Sequence, residues 1–298
     1  MIMLLLLKNK NIRGCFPIFI KSRFKQISLV VLCLLLLVSN NAFAIGDGGK
    51  HSFEIGMDTY YFDYKESLTL PSKSTESGWL PGVYVDYTMN ERNSLYLKGS
   101  FKYAKGDLTY DGSSQTGTPV AFNVGNTQEL YSLKGVIGSN KAMENGATVI
   151  PYVGVCYNNW NRGVAGVHSG ITSYRETYQW YSALVGIRFE REIRDKWLIA
   201  FTTESKLNFG GTMKAYNSEA GIGNDMTFSL GNKGGYALEI CLRYDINEQT
   251  YLSFAPWYET YSFGASESQL NTQDNKYYYE PSSTTNQYGI RCGVGYHF

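Results

Sequence analysis

Tyr288-Gly-Ile-Arg-Cys-Gly-Val-Gly-Tyr-His-Phe298 closes the chain, and its reading decides the fold. Tyr288, Ile290, Cys292, Val294, Tyr296 and Phe298 fall on one face of an extended segment, and Gly289, Arg291, Gly293, Gly295 and His297 on the other. Successive side chains of a strand point to opposite faces, so this period of two predicts a strand with one apolar and one polar or small face. The same alternation recurs upstream in Phe53–Tyr61, Trp79–Thr88, Leu95–Tyr103, Tyr131–Ile137, Val149–Tyr157, Tyr181–Glu190, Trp197–Lys206, Tyr236–Tyr244 and Tyr251–Glu259. With the last segment that makes ten strands.

The connections alternate in length. Asn90–Asn93, Asn140–Gly146, Arg191–Asp195 and Asp245–Gln249 are short, and the stretches near 65–78, 106–127, 158–175, 210–234 and 261–286 are long. Short turns at one end and long loops at the other are the pattern of a membrane barrel, whose closure leaves no strand edge open to lipid. The expected fold is therefore all-β, a closed antiparallel transmembrane β-barrel of ten strands. Eight and twelve are the alternatives, because strand ends read from sequence err by about two to four residues. A soluble β-sandwich would share the alternation but would need no aromatic belts. Here Trp79, Tyr103, Tyr131, Tyr157, Tyr181 and Tyr236 stand near the loop ends of the apolar faces, and Tyr87, Phe189, Trp197, Tyr244 and Tyr296 near the turn ends. Rings at two depths match the two membrane interfaces.

The beginning of the 298-residue chain is of another kind. Lys21, Arg23 and Lys25 precede the apolar run Ile27–Val38, and Ala42-Phe43-Ala44 follows it. A cationic start, a short apolar middle and a small-x-small end predict a secretory signal cleaved after Ala44. The run is too short for a membrane-spanning helix, which needs about 20 apolar residues. Residues 1–44 are thus read as a signal with an unusual extension before Lys21, and 45–298 as the barrel domain.

Charged residues make up 18% of the chain and its net charge is only +1, which gives no electrostatic reason to bind nucleic acid. The alternation turns the acids Glu54, Asp58, Asp86, Glu190, Glu204, Glu239 and Glu259 inward, with the bases Lys98, Lys102, Lys134, Arg188, Lys206, Arg243 and Arg291. Equal numbers of both signs predict a paired, closed filling, whereas a selective pore would show rings of one sign. Cys156, Cys241 and Cys292 are too few and scattered for a disulfide framework, and Cys15 and Cys33 lie in the presequence.

Tyr288, Tyr296 and Phe298 give the last strand its resemblance to the terminal strand of outer-membrane proteins, which alternates hydrophobics and closes on an aromatic. That resemblance implies a Gram-negative outer membrane, an assembly machinery that reads the strand, and contact with outer-membrane lipids and lipopolysaccharide. Ten strands with long loops also resemble the omptins, outer-membrane proteases whose site sets two Asp across the barrel mouth from an Asp and a His that activate a water. The resemblance implies a His near the outer ends of strands seven and eight. Asp225 stands there without a His, His168 lies in another outer loop, and His51 and His297 sit at the turn ends; Asp107 and Asp111 have three residues between them, and Asp63 stands alone. No HExxH, no Cys/His cluster and no phosphate-binding glycine loop occurs, so no metal or cofactor is expected. The outer segments Asn158-Asn159-Trp160-Asn161 and Tyr277-Tyr278-Tyr279-Glu280 read as solvated loops, or as a surface for host molecules. Three function classes follow: a non-enzymatic surface barrel, structural or adhesive; a small passive channel; and an omptin-like protease.

Overall fold

The computed structural model describes residues 49–298 apart from 69–71, 92–93, 114–118, 123–126, 164–165, 169–170, 222 and 274. The expected signal, with Ala42 and Ala44, lies outside the described residues. Ten long strands form the barrel: β1 (Gly49–Glu66), β2 (Ser74–Glu91), β3 (Leu95–Asp107), β4 (Thr127–Ser139), β5 (Ala147–Arg162), β6 (Glu176–Arg194), β7 (Trp197–Ala215), β8 (Gly234–Asp245), β9 (Thr250–Phe263) and β10 (Ser283–His297). Each pairs antiparallel with its sequence neighbours, and β1 pairs with both β2 and β10, so the sheet closes. Ten is the strand number; eight and twelve drop out.

Within the closed wall the outward residues are apolar and bare: Met57 is 64% and Val185 58% exposed. A soluble protein does not leave such a band to water; a lipid-facing wall does. Outward rings bound it. On the loop side Tyr61 stacks with Tyr288 at 5.3 Å and meets Trp79 at 5.7 Å, while Tyr157 touches both Tyr131 and Tyr181. On the turn side Trp197 lies 4.8 Å from Tyr244, and Tyr87 stands 6.5 Å from Phe298. Tyr288 and Phe298 are ten residue steps apart along β10, about 26 Å of height at about 3.4 Å per residue and a tilt of about 40°. That spans a hydrocarbon core.

The strands run beyond the loop-side ring, which corrects the expected loops. β1 continues to Glu66, β5 to Arg162 and β7 to Ala215. Past the ring the alternation changes phase. On β1, Ile55, Met57 and Tyr61 face out, but Phe62 and Tyr64 face in and are fully buried. On β6 the inward residues are Tyr178 and Trp180, and on β9 they are Tyr261 and Phe263. Above the membrane the outer face meets water and the lumen becomes the dry side, so the apolar residues move inward. A search for outward apolar residues stops at the ring for this reason. The inward turn of Trp160, Asn159, Tyr278 and Glu280 likewise corrects their reading as solvated loop residues, whereas Tyr277 and Tyr279 are exposed.

Gly293 on β10 shows how the terminal strand serves the lumen. A Cβ there would come within 2.2 Å of the Tyr84 hydroxyl. Its absence leaves room for the tyrosine to reach Glu54 at 2.5 Å.

The phase change yields a test. Val185→Arg, in the apolar band, should destabilise the barrel by about 2–4 kcal/mol. Thr284→Arg, outward but above the ring, should stay within about 0.5 kcal/mol of the parent. Chemical unfolding in lipid vesicles reads both, and equal costs would contradict the placement of the boundary.

Candidate functional site

The lumen holds two layers. The lower one, within the apolar band, is built of charges carried on alternate residues of opposing strands. Lys98 lies 2.7 Å from Asp86, Lys102 3.3 Å from Asp58, and Lys134 2.8 Å from Glu204. Glu204 also accepts the Tyr152 hydroxyl at 2.9 Å, and Lys206 reaches Glu259 at 2.7 Å. Arg188 bonds Glu190 at 2.6 Å and approaches Glu239 at 3.7 Å; Arg291 holds Glu239 from the other side. Glu54 is met by hydroxyls, from Tyr84 and from Ser253 at 2.8 Å. Arg243 stands apart near the turns, paired with Asp245 at 3.0 Å. Charges at this depth need partners, because an isolated buried ion is costly.

Cavities remain among these side chains. One of about 130 Å³ is lined by Lys102, Lys134, Glu204, Trp180, Trp257 and Tyr261, and one of about 110 Å³ lies nearer the turns beside Glu54, Asp86 and Arg291. Polar and apolar groups share the walls of each, with space for on the order of ten waters.

The upper layer is aromatic around a single guanidinium. Trp160 stacks on Tyr178 with centroids 4.7 Å apart, and Tyr64 and Phe62 close on its other sides at 5.0 and 5.2 Å. The indole N–H donates to Gln128 at 2.6 Å, and Gln128 donates to Glu76 at 3.2 Å. Arg162, 3% exposed, bonds Glu76 at 2.8 Å and Glu176 at 2.7 Å, with Glu66 at 3.5 Å. A planar guanidinium with five donors can serve several carboxylates at once, as an ammonium cannot. Glu280 completes the group from the loop between β9 and β10, accepting the hydroxyls of Tyr178 at 2.8 Å and Tyr64 at 3.4 Å.

Sequence reasoning misses this cup, since Glu66, Glu76, Trp160, Arg162 and Glu280 lie in stretches read as loops. The available signal is the phase change in Tyr60-Tyr61-Phe62-Asp63-Tyr64, where inward positions turn aromatic and outward ones polar.

The residues matching the omptin pattern do not converge. Asp225 sits on the outer surface between β7 and β8. The Ser218 hydroxyl at 2.6 Å and backbone N–H at 3.1 Å, with Lys214 nearby, hold its carboxyl below the usual range. That makes it a weaker base. Asp111 pairs with Lys73, and Asp107 accepts the Thr127 hydroxyl at 2.6 Å. His168 ends a short strand, Gly166–His168, and its side chain lies outside the described residues. Among the described residues no group of three or more His, Cys, Asp or Glu side chains could hold a metal ion, and Cys156, Cys241 and Cys292 are free thiols.

No protein-family model and no curated protein matches the sequence. Among solved structures the outer membrane protease OmpT from Escherichia coli matches 87% of this chain and 100% of its own, at 9% identity and a TM-score of 0.56. The chain has the fold of an outer-membrane β-barrel. Two further outer-membrane barrels resemble it less closely. Ail of Yersinia pestis has a TM-score of 0.35 at 12% identity, over 85% of this chain and 100% of its own. OprG from Pseudomonas aeruginosa has 0.38 at 13%, over 84% and 96%. At these identities the likeness concerns the outer-membrane barrel and not its chemistry.

Removing the guanidinium tests the cup. Arg162→Ala should destabilise the barrel by about 3–5 kcal/mol, because it leaves three buried carboxylates without their cation. The readout is the denaturant midpoint, together with the temperature at which the compact gel form is lost. A midpoint equal to the parent's would show that the cup does not hold the outer half together.

Proposed function

We propose that this outer-membrane barrel is non-enzymatic, closed to solute flow, and serves the cell surface as a structural or adhesive element. The fill at its loop end supports this reading. A pore needs water from end to end, yet above the larger cavity the lumen is occupied by Trp160, Tyr178, Phe62 and Tyr64 around a buried Arg162. A hydrolase needs an accessible group that activates water. Inside the loop-end lumen the acids Glu66, Glu76, Glu176 and Glu280 are buried instead, and the first three are drawn onto the guanidinium. In this reading the protease activity in OmpT's name does not carry over to this chain.

The adhesive side of the proposal rests on the outer hairpin of Gln269–Asn271 and Lys276–Tyr278, where Leu270 pairs across from Tyr277. Tyr277 is 72% exposed, and Leu270 and Tyr279 lie bare beside it. Exposed aromatic side chains on a firm scaffold are common anchors of protein contacts. In this reading the partners are a host-surface molecule at the hairpin, outer-membrane lipids and lipopolysaccharide around the wall, and the assembly machinery that meets Tyr288, Tyr296 and Phe298.

Purified barrel in planar bilayers should give no discrete conductance steps, and a panel of basic peptides should remain uncleaved. Cells carrying Tyr277→Ala with Tyr279→Ala should bind host surfaces less while keeping a normally folded barrel. Regular conductance steps, or peptide cleavage abolished by Asp225→Ala, would sink the proposal.

A further inference from the structure

The inward faces of β3 and β4 carry a group of lysines that no acid interrupts. Lys98, Ser100 and Lys102 follow one another on the lumen side of β3, and Ser132 and Lys134 on that of β4. The strands pair with Ser100 opposite Lys134 and Lys102 opposite Ser132, so Lys134 sits diagonal to both Lys98 and Lys102. Diagonal neighbours on one face of a sheet stand about 7–8 Å apart, within reach of long side chains. From Tyr96 to Ala104 and from Leu130 to Val136 no inward position of this wall is acidic.

The acids that pair with these lysines come from other strands and are the more deeply set partners. The Lys102 side chain is 30% exposed and that of Asp58, on β1, 2%; for Lys134 and Glu204, on β7, the values are 26% and 5%. Lys98 and Asp86 of β2 follow the same order. Neutral donors fix two of the acids in place. The Trp257 indole N–H donates to Asp58 at 2.8 Å, and the Tyr152 hydroxyl to Glu204 at 2.9 Å. The Lys102 pair is the loosest of the three, at 3.3 Å. Lys206 reverses the order, since its partner Glu259 is the barer of the two. Ammonium heads of β3 and β4 therefore front the cavity of about 130 Å³, with Trp257 and Tyr261 of β9 in its wall as well. Lys102 reaches over the Trp257 ring at 4.3 Å.

We propose that this lysine wall is a binding site for a small organic anion, a carboxylate or a phosphate, held inside the barrel. Its charged head lies on Lys102 and Lys134 with the Ser132 hydroxyl beside them, and its body faces Trp257. An ammonium on a flexible stem can turn toward such a head, and charge-assisted hydrogen bonds are the strong ones. Lys102 turns from Asp58 to the anion, while Asp58 keeps the Trp257 N–H. A neutral molecule would gain little from the ammonium heads, and a cation would be repelled by them. With the loop end filled by the aromatic cup, as proposed above, the way in is from the turn end. The cavity of about 130 Å³ shares Lys98, Arg188, Arg291 and Glu239 with the one of about 110 Å³ nearer the turns, three cations to one acid. An anion enters and leaves by that neck, so the site adds a binding function to a barrel that stays closed to flow.

Titration calorimetry on the full folded barrel in a non-ionic detergent at low salt tests this, with benzoate, phenyl phosphate and the neutral benzamide as probes. At least one of the two anions should bind saturably at a single site per barrel, and benzamide should not; the tighter anion names the headgroup. Lys102→Met combined with Asp58→Asn removes an ion pair without leaving a lone buried charge, and should weaken anion binding at least about tenfold. Added sodium chloride should weaken it in the parent, by screening and by competing for the same lysines. Saturable binding of neither anion, equal binding of benzamide, or an unaltered affinity in the double variant overturns the site. Should the double variant fail to reach the compact gel form, a parent affinity indifferent to sodium chloride overturns it equally.

Discussion

Lipid offers no partner to a backbone N–H or C=O, and each group left unpaired in hydrocarbon costs several kcal/mol. Everything else in the structure depends on meeting that demand at the seam between the first and last strands. β1 and β10 pair from Ser52 opposite His297 to Glu66 opposite Ser283 with no break in register. Phe298 extends the seam, donating its N–H to the His51 carbonyl at 3.0 Å while its ring stacks on the His51 imidazole at 5.8 Å. His51 in turn bonds the Tyr87 hydroxyl at 2.8 Å, which brings β2 into the same corner. The terminal aromatic is therefore part of the wall as well as a feature of its last strand.

Closure makes a tube, and the two solvents around it decide what fills the tube. Beside lipid the wall is apolar outside, so polar residues turn inward and must be matched there; the pairs around Glu204 and Glu239 are the result. Beside water the same chain reverses itself and makes a core of aromatics. A single strand such as β1 carries both patterns, offset by one residue at Tyr60 and Tyr61. The two halves cohere by different means, the lower by ion pairs in a damp cavity and the upper by ring packing.

The lower half was legible in the sequence because its signal is one-sided and repeated. Ile55, Met57, Val153, Val155, Val185 and Ile290 announce a lipid face wherever they recur at a period of two, and the strand count follows from them. The charges opposite could be assigned to the lumen by the same alternation, though which acid meets which base depends on barrel stagger and is not local information. The upper half was obscure for a physical reason. Arg162 and its carboxylates are widely separated in sequence, from Glu66 to Glu176, and Glu76 and Arg162 are surrounded by Ser, Thr, Asn and Gly, the residues of solvated turns. Only the three-dimensional closure brings them onto one guanidinium.

The cup also bears on how such a barrel reaches its place. Arg162, Glu66, Glu76, Glu176 and Glu280 end beyond the outer aromatic ring, so all five must cross the hydrocarbon during insertion. A lone charged side chain at the bilayer midplane faces a barrier of at least about 2.5–3.5 kcal/mol, and these are contributed by four different strands and a loop. Strands inserting one by one would meet that barrier repeatedly, before any of the charges could find its counter-ion. A sheet whose outer ends have already gathered around Arg162 would carry them across as one compact, partly neutralised package. Collective translocation of the outer half spares the chain that repeated barrier.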